Sequence, residues 1–212
     1  RAAPGEIANI SGTPLAEAVR SRFYKAVTFG YIFALGAQVG GALQLVKLVE
    51  ERTDRSTATL ATIVLSTMSI LSRFAAGRII PKINMTRFTV GLAGLQGISL
   101  ASLGLINNRI GLLIAIGLFG VTIGNMVMMQ SLLLAERFGV RDYPKIAARS
   151  GLISFSGTAL GPLLLGWLYD VAGGYRSSYL AAGACSIIGA ILFSFAGSAS
   201  VASTEVASAQ SQ

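Results

Sequence analysis

The stretch "IGLLIAIGLFGVTIGNMVMMQSLLLA", residues 110 to 135, runs for twenty-six residues without a charge. A helix crossing the hydrocarbon core of a bilayer needs about 20 mostly apolar residues, and this run exceeds that. Five further runs of similar character surround it: Tyr24 to Val49, Ser56 to Ile80, Phe88 to Ile106, Ser150 to Tyr169, and one from Ser177 that stays uncharged through Thr204. Only Asn107, Asn108 and Arg109 separate the third run from the fourth, which leaves room for nothing but a tight hairpin. Buried helices of a large soluble protein also read as apolar runs, but six in series argue for membrane spans. The expected class is an all-α integral membrane protein with six transmembrane helices.

Composition agrees. Hydrophobic residues make up 53% of the 212, charged residues 12%, and the mean hydropathy is +0.66. A soluble domain carries about 25% charged residues because its surface must be solvated. The net charge of +8 does not point to nucleic acid, since so apolar a chain has no surface for a basic stripe. Cys185 is the sole cysteine and lies in an apolar run, which excludes a disulfide framework and a thiolate metal site. Histidine is absent, and with it Ser-His or Cys-His catalysis, imidazole metal ligation and histidine proton relays. No enzymatic role, metal or cofactor is expected.

Residues 1–22 have no stretch apolar enough for a signal peptide and read as a polar linker; the start at Arg1 suggests the later part of a longer protein. The expected organisation is this linker, a six-helix bundle over 23–197, and a tail over 198–212. Lysines and arginines set the orientation. With six spans, the side holding both ends carries Arg1, Arg20, Arg22, Lys25, Arg73, Arg78, Lys82, Arg87, Arg137, Arg141, Lys145 and Arg149. The other side carries Lys47, Arg52, Arg55, Arg109 and Arg176. Twelve against five places both termini in the cytoplasm of a cell-membrane protein.

The pattern Gly77, Pro81, Arg87 in "GRIIPKINMTR" recurs in spacing as Gly166, Asp170, Arg176 in "GWLYDVAGGYR". Each window closes one span and opens the next. Spans one to three and four to six therefore read as two copies of a three-helix unit, in opposite orientations because three is odd. That is the inverted-repeat logic of secondary transporters. Asp170 at a helix C-terminus opposes the dipole, so it is expected to face the start of the next helix or pair with Arg176.

Six helices with these loops resemble the C-terminal half of a major facilitator superfamily transporter, over nearly the whole chain after residue 22. "GPLLLGWLYDVAGGYR" (161 to 176) is similar to the junction before the family's last helix, and "GRIIPKINMTR" to a degraded form of its signature loop, with Pro81 where that motif has Asp. "LLLAERFGVRDYPKI" (132 to 146) resembles the matching loop of the monocarboxylate and oxalate/formate branches. The resemblance implies a further N-terminal six-helix half, or a second copy, with the substrate site between the halves. It implies that spans one, two, four and five face the cavity and that spans three and six face lipid. Gly77, Arg78, Gly166, Asp170 and Arg176 would then form the structural and gating loops.

The residues available for such a site are Gln38 and Gln44 in the first span, Ser69 and Arg73 in the second, Asn125 and Gln130 in the fourth, and Ser154 and Thr158 in the fifth. The small and hydroxyl stripe Ser150, Ser154, Gly157, Thr158, Gly161 also suits close packing of helices, as do the pairs Gly36/Gly40 and Gly120/Gly124. Asn125 and Gln130 fit substrate contact and helix-to-helix hydrogen bonding equally. Met126, Met128 and Met129 read as packing, and no acidic residue lies well inside a span. In a second helix from Thr57 to Ile80, Arg73 lies roughly 7 Å from the midpoint at 1.5 Å per residue. That is inside the half-thickness of about 15 Å yet within snorkelling reach of the interface. Against lipid it would cost about 2.5–3.5 kcal/mol; facing a water-filled cavity it escapes most of that. The resemblance adds an Arg-x-x-x-Gly pattern, Arg73 and Gly77, whose arginine pairs with substrate carboxylate, as a planar guanidinium does well. A single cation suits a monoanion.

The leading expectation is therefore secondary active transport of a small organic monocarboxylate by alternating access. The alternatives are a truncated fragment that does not transport, and a facilitator of another small solute. Water and glycerol channels need paired Asn-Pro-Ala loops and mitochondrial carriers need three Pro-x-Asp/Glu-x-x-Lys/Arg repeats; the sequence has neither.

Overall fold

The computed structural model describes residues 12–199, and these are helical almost throughout. A short α1 (Leu15–Arg20) precedes six long helices: α2 (Arg22–Arg52), α3 (Arg55–Ile79), α4 (Met85–Leu105), α5 (Arg109–Phe138), α6 (Tyr143–Ala172) and α7 (Tyr175–Ser194). A 3-10 turn, Ile80–Lys82, follows α3. All six long helices have the length and apolar composition to cross a membrane.

Helix ends follow capping residues and not the limits of the apolar runs. Ser21, Asp54, Asn84 and Asn108 each accept a hydrogen bond from a first-turn amide, of Tyr24, Thr57, Arg87 and Gly111 respectively. Such caps satisfy donors that have no partner within the helix. The helix α6 starts seven residues before the expected Ser150, because "YPKIAAR" continues the helix outside its apolar part, with Pro144 in the first turn. It stops at Gly173, whose left-handed backbone (φ 67°) favours glycine. The last helix ends at Ser194, ahead of the expected limit at Thr204, which lies outside the described residues. The two repeat windows close differently: the first through the 3-10 turn holding Pro81, the second by unbroken helix to Ala172.

The linker contains a structured part. Asp142, at the start of α6, accepts the Leu15 amide at 3.1 Å, and Thr13 N donates to Phe138 O at 2.8 Å. Ala18 of α1 is fully buried. Polar composition hid this element, since its anchors are backbone groups and a carboxylate 127 residues away.

Two apolar cores stack along the bundle. One gathers Phe23, Tyr31, Met126, Phe138 and Phe193; the other gathers Leu45, Leu48, Leu100, Leu103, Phe119 and Tyr179. Gln96 ties α4 into them, its Nε2 donating to Ala34 O at 2.8 Å and Ser186 Oγ at 2.9 Å. Gln96, on the third span, which was expected to face lipid, is thus wholly buried between α2, α4 and α7. The main seams are α2 with α6 and α7, α4 with α7 and α5, and α3 with α5. The helices α3 and α6 are the least covered, and Leu152 (77% exposed), Leu163 (69%) and Phe74 (68%) stand on their outer faces. Faces of that kind require an apolar surrounding or a partner.

Candidate functional site

The seam between α3 and α5 is made possible by two glycines. A Cβ on Gly120 would strike Leu65 O, and one on Gly124 would strike Ser69 O, so the backbones meet closely at both points. This approach brings a carbonyl of α5 within reach of Arg73, whose Nε donates to Gly124 O at 2.9 Å. Among the described residues nothing pairs with either Nη of that guanidinium, which lies on the exposed side of α3. Arg73 is six residues from the end of α3 and six from its middle, about 9 Å at 1.5 Å per residue. Beside it, Asn125 donates from Nδ2 to Ser72 Oγ at 3.1 Å and to Val121 O at 2.9 Å. Its Oδ1 is buried and accepts nothing. Ser69 is buried in the same seam.

A second polar group lies further along α5. Gln130 Nε2 donates to Ser150 Oγ at 3.2 Å and Ser154 Oγ at 2.9 Å. Ser150 Oγ lies 2.8 Å from Thr28 Oγ1, and Ser154 Oγ donates to Thr28 O at 3.2 Å. These four side chains satisfy one another between α2, α5 and α6, and all are buried. The structure therefore brings Arg73, Ser69 and Asn125 together, and separately Gln130 and Ser154. Gln38 joins neither group: it is 6% exposed and its Oε1 has no partner. Thr158 is half-buried and turns its hydroxyl back to Phe155 O at 2.7 Å. Gln44 is half-buried, with Oε1 unpartnered.

The exposed side of α3 carries a feature that reading the chain for charges missed. Thr59, Thr62, Ser66, Ser69 and Arg73 follow a 3-4-3-4 spacing, which aligns them on one face. Thr59, Thr62 and Ser66 are exposed, and the two threonines donate to carbonyls one turn back, at 3.1 and 3.2 Å. Their oxygens keep free acceptor capacity toward the outside. The spacing was available in the sequence, but hydroxyl residues are so tolerable in membrane helices that they carry no weight singly.

Of the loop residues, Gly77 and Gly166 are not required sterically, for a Cβ at the first meets nothing within 4 Å and at the second only Gln44 Nε2 at 3.7 Å. Arg78 and Arg176 are exposed. Asp170 is exposed as well; among the described residues it accepts no hydrogen bond, and α7 begins at Tyr175, after Gly174, with no side-chain cap. The expected cap or ion pair is not formed, because α6 carries Asp170 two residues short of its own end and the chain turns only at Gly173 and Gly174. Where carboxylates do accept hydrogen bonds, their acidity rises. Hydrogen bonds from Ser56 and Thr57 hold Asp54 down to about 2, and the Leu15 amide and Lys145 hold Asp142 below its ordinary value.

Among the described residues no three His, Cys, Asp or Glu side chains converge on a point where a metal could sit. No family model matches the chain, and no curated protein does.

Proposed function

We propose that the chain is one six-helix half of a secondary transporter of the major facilitator kind, carrying small organic monocarboxylates by alternating access. Its partner is an N-terminal six-helix half, with both chain ends cytoplasmic and the site between the halves. The observation that carries this reading is Arg73. One edge of its guanidinium is fixed by the Gly124 carbonyl, while the Nη groups have no partner among the described residues, on a face lined by Thr59, Thr62 and Ser66. An arginine held in this way has lost much of its side-chain freedom before a ligand arrives, and two parallel N–H groups match a carboxylate.

The packing pattern supports the inverted repeat. A two-fold relating α2–α4 to α5–α7 requires seams to exchange in pairs: α2 with α6 for α5 with α3, and α2 with α7 for α5 with α4. Both exchanges are found among the main seams, with α4 and α7 packed on each other. Each of the first pair is built on glycines one turn apart, Gly36 and Gly40 in α2 and Gly120 and Gly124 in α5.

The test is uptake by the protein reassembled with its N-terminal half. Arg73→Lys retains charge without the fork, and Arg73→Gln retains neither. Both should insert normally and bind carboxylate more weakly, Gln worse than Lys. A charge-assisted hydrogen bond contributes about 1.5–3 kcal/mol, or roughly ten- to hundredfold in apparent affinity. Arg78→Gln, five residues further on, is the control and should leave affinity unchanged. Uptake by Arg73→Gln at wild-type affinity would reduce Arg73 to a membrane-edge anchor and remove the organic-anion assignment.

A further inference from the structure

A pocket of about 420 Å³ opens between the first turn of α4 and the end of α7, lined by Asn84, Thr86, Arg87, Ser194 and Ser198. Among the described residues no carboxylate lines it. Asn84 Oδ1 caps the Arg87 amide at 3.1 Å, which leaves the Met85 and Thr86 amides without acceptors among the described residues. Thr86 is 6% exposed, and its hydroxyl also has no partner. The pocket thus gathers two orphan amides at the positive end of a 21-residue helix, an unsatisfied buried hydroxyl and a guanidinium. Donors arranged this way suit a phosphate.

Arg87 also lines a second cavity, a groove of about 590 Å³ between α3, α4 and α5. Leu71, Ile79, Phe88, Leu92 and Leu95 form its walls. Gly91 leaves it open, since a Cβ there meets nothing within 4 Å. The last turn of α3 carries Arg78 and the 3-10 turn after it Lys82, and the one ion pair among the described residues, Lys145 with Asp142, involves none of these cations. A free phosphate would fill the first pocket and leave the groove empty. A neutral lipid chain would fill the groove and leave the donors unsatisfied. A phosphate that bears an acyl chain uses both, and Arg87 joins them.

We propose that this surface binds an anionic phospholipid, with the phosphate on Arg87 and the start of α4 and one acyl chain in the groove. Basic pockets between membrane helices recognise such headgroups. Ser72 and Asn125 of the α3–α5 seam also line the groove, but the inference requires neither the Arg73 guanidinium nor transport.

The test is the melting temperature of the purified protein in detergent, titrated with phosphatidylglycerol, phosphatidylcholine or inorganic phosphate. Phosphatidylglycerol should raise it by mass action at concentrations where the other two do nothing. Arg87→Gln, and independently the near-isosteric Thr86→Val, should require roughly ten- to hundredfold and about tenfold more phosphatidylglycerol for the same rise. Gly91→Leu should fill the groove, abolishing the response without lowering the melting temperature in its absence. Arg109→Gln, at the start of α5, should respond as wild type. Equal responses to both lipids, or a full response in both Arg87→Gln and Gly91→Leu, would overturn the proposal. So would an equal rise with inorganic phosphate, which would mark a free-anion site, or loss of the response in Arg109→Gln, which would mark a diffuse charge effect.

Discussion

Replacing Gly161 with alanine adds one methyl group at one of the tightest contacts of the bundle. A Cβ there would strike the Gly36 carbonyl, and the reciprocal positions are also tight, though less so: Gly36 would meet Gly157 O at 2.9 Å and Gly40 would meet Gly161 O at 3.0 Å. Both surfaces are helix backbone, so no side chain can rotate aside; α2 and α6 must separate. Separation forfeits dispersion along the whole seam, because a gap of 0.5–1 Å already loses a quarter to a half of each contact well. Overpacking costs about 1–3 kcal/mol, and a contact between two backbones belongs at the upper end, about 3 kcal/mol. For a chain of this size that is a fall of about 6–12 °C in melting temperature. Fluorescence of Trp167, which lies on α6, can follow the transition in detergent. Gly77→Ala is the matched control. Its Cβ meets nothing within 4 Å, so helix propensity should leave it equal to wild type or up to about 1 kcal/mol more stable. A Gly161→Ala protein that melts with wild type, or a Gly77→Ala protein that melts well below it, would refute the packing argument.

The caps and the topology give two further tests. The folded Asp54 carboxyl is held down to about 2 against an ordinary 3.8, so its contribution to stability is complete above about pH 4 and is lost as pH falls toward 2. Wild-type melting temperature should therefore drop across that window more steeply than that of Asp54→Asn, and parallel curves would remove the cap's role. In a Cys185→Ala background, Asn107→Cys should react with an impermeant thiol reagent applied to intact cells and Lys145→Cys should not. The opposite result would reverse the orientation inferred from the charge distribution.

The helices were legible because a membrane span imposes one crude demand, a long apolar run, and six such runs are present. Their ends were less so, since an apolar run reports what lipid tolerates and a helix ends where its hydrogen bonds do. Tyr143 to Arg149 is helical but charged and so fell outside the expected span. Arg73 could be singled out because a charge near the hydrocarbon is conspicuous, yet its partner is a backbone carbonyl, and no sequence pattern names the carbonyl an arginine will meet. Gly124 supplies it only because α3 and α5 approach at that residue. Asp170 shows the converse. Its chemistry suggested a cap, but the position of a turn three residues later decides whether a carboxylate can reach the next helix.

The proposed site is a water-filled space along the Thr59 to Arg73 face of α3, where a carboxylate meets Arg73. The most direct measurement is thiol reactivity along α3 in the assembled transporter. Thr62→Cys and Ser66→Cys, made in a Cys185→Ala background, are exposed to a water-soluble maleimide from either side of the membrane, with Leu71→Cys on the neighbouring apolar face as reference. The account predicts that Thr62→Cys and Ser66→Cys react, that Leu71→Cys does not, and that a transported monocarboxylate slows Ser66→Cys only while Arg73 is present. A Ser66→Cys as unreactive as Leu71→Cys, or one whose reaction the carboxylate slows equally in an Arg73→Gln background, would contradict it.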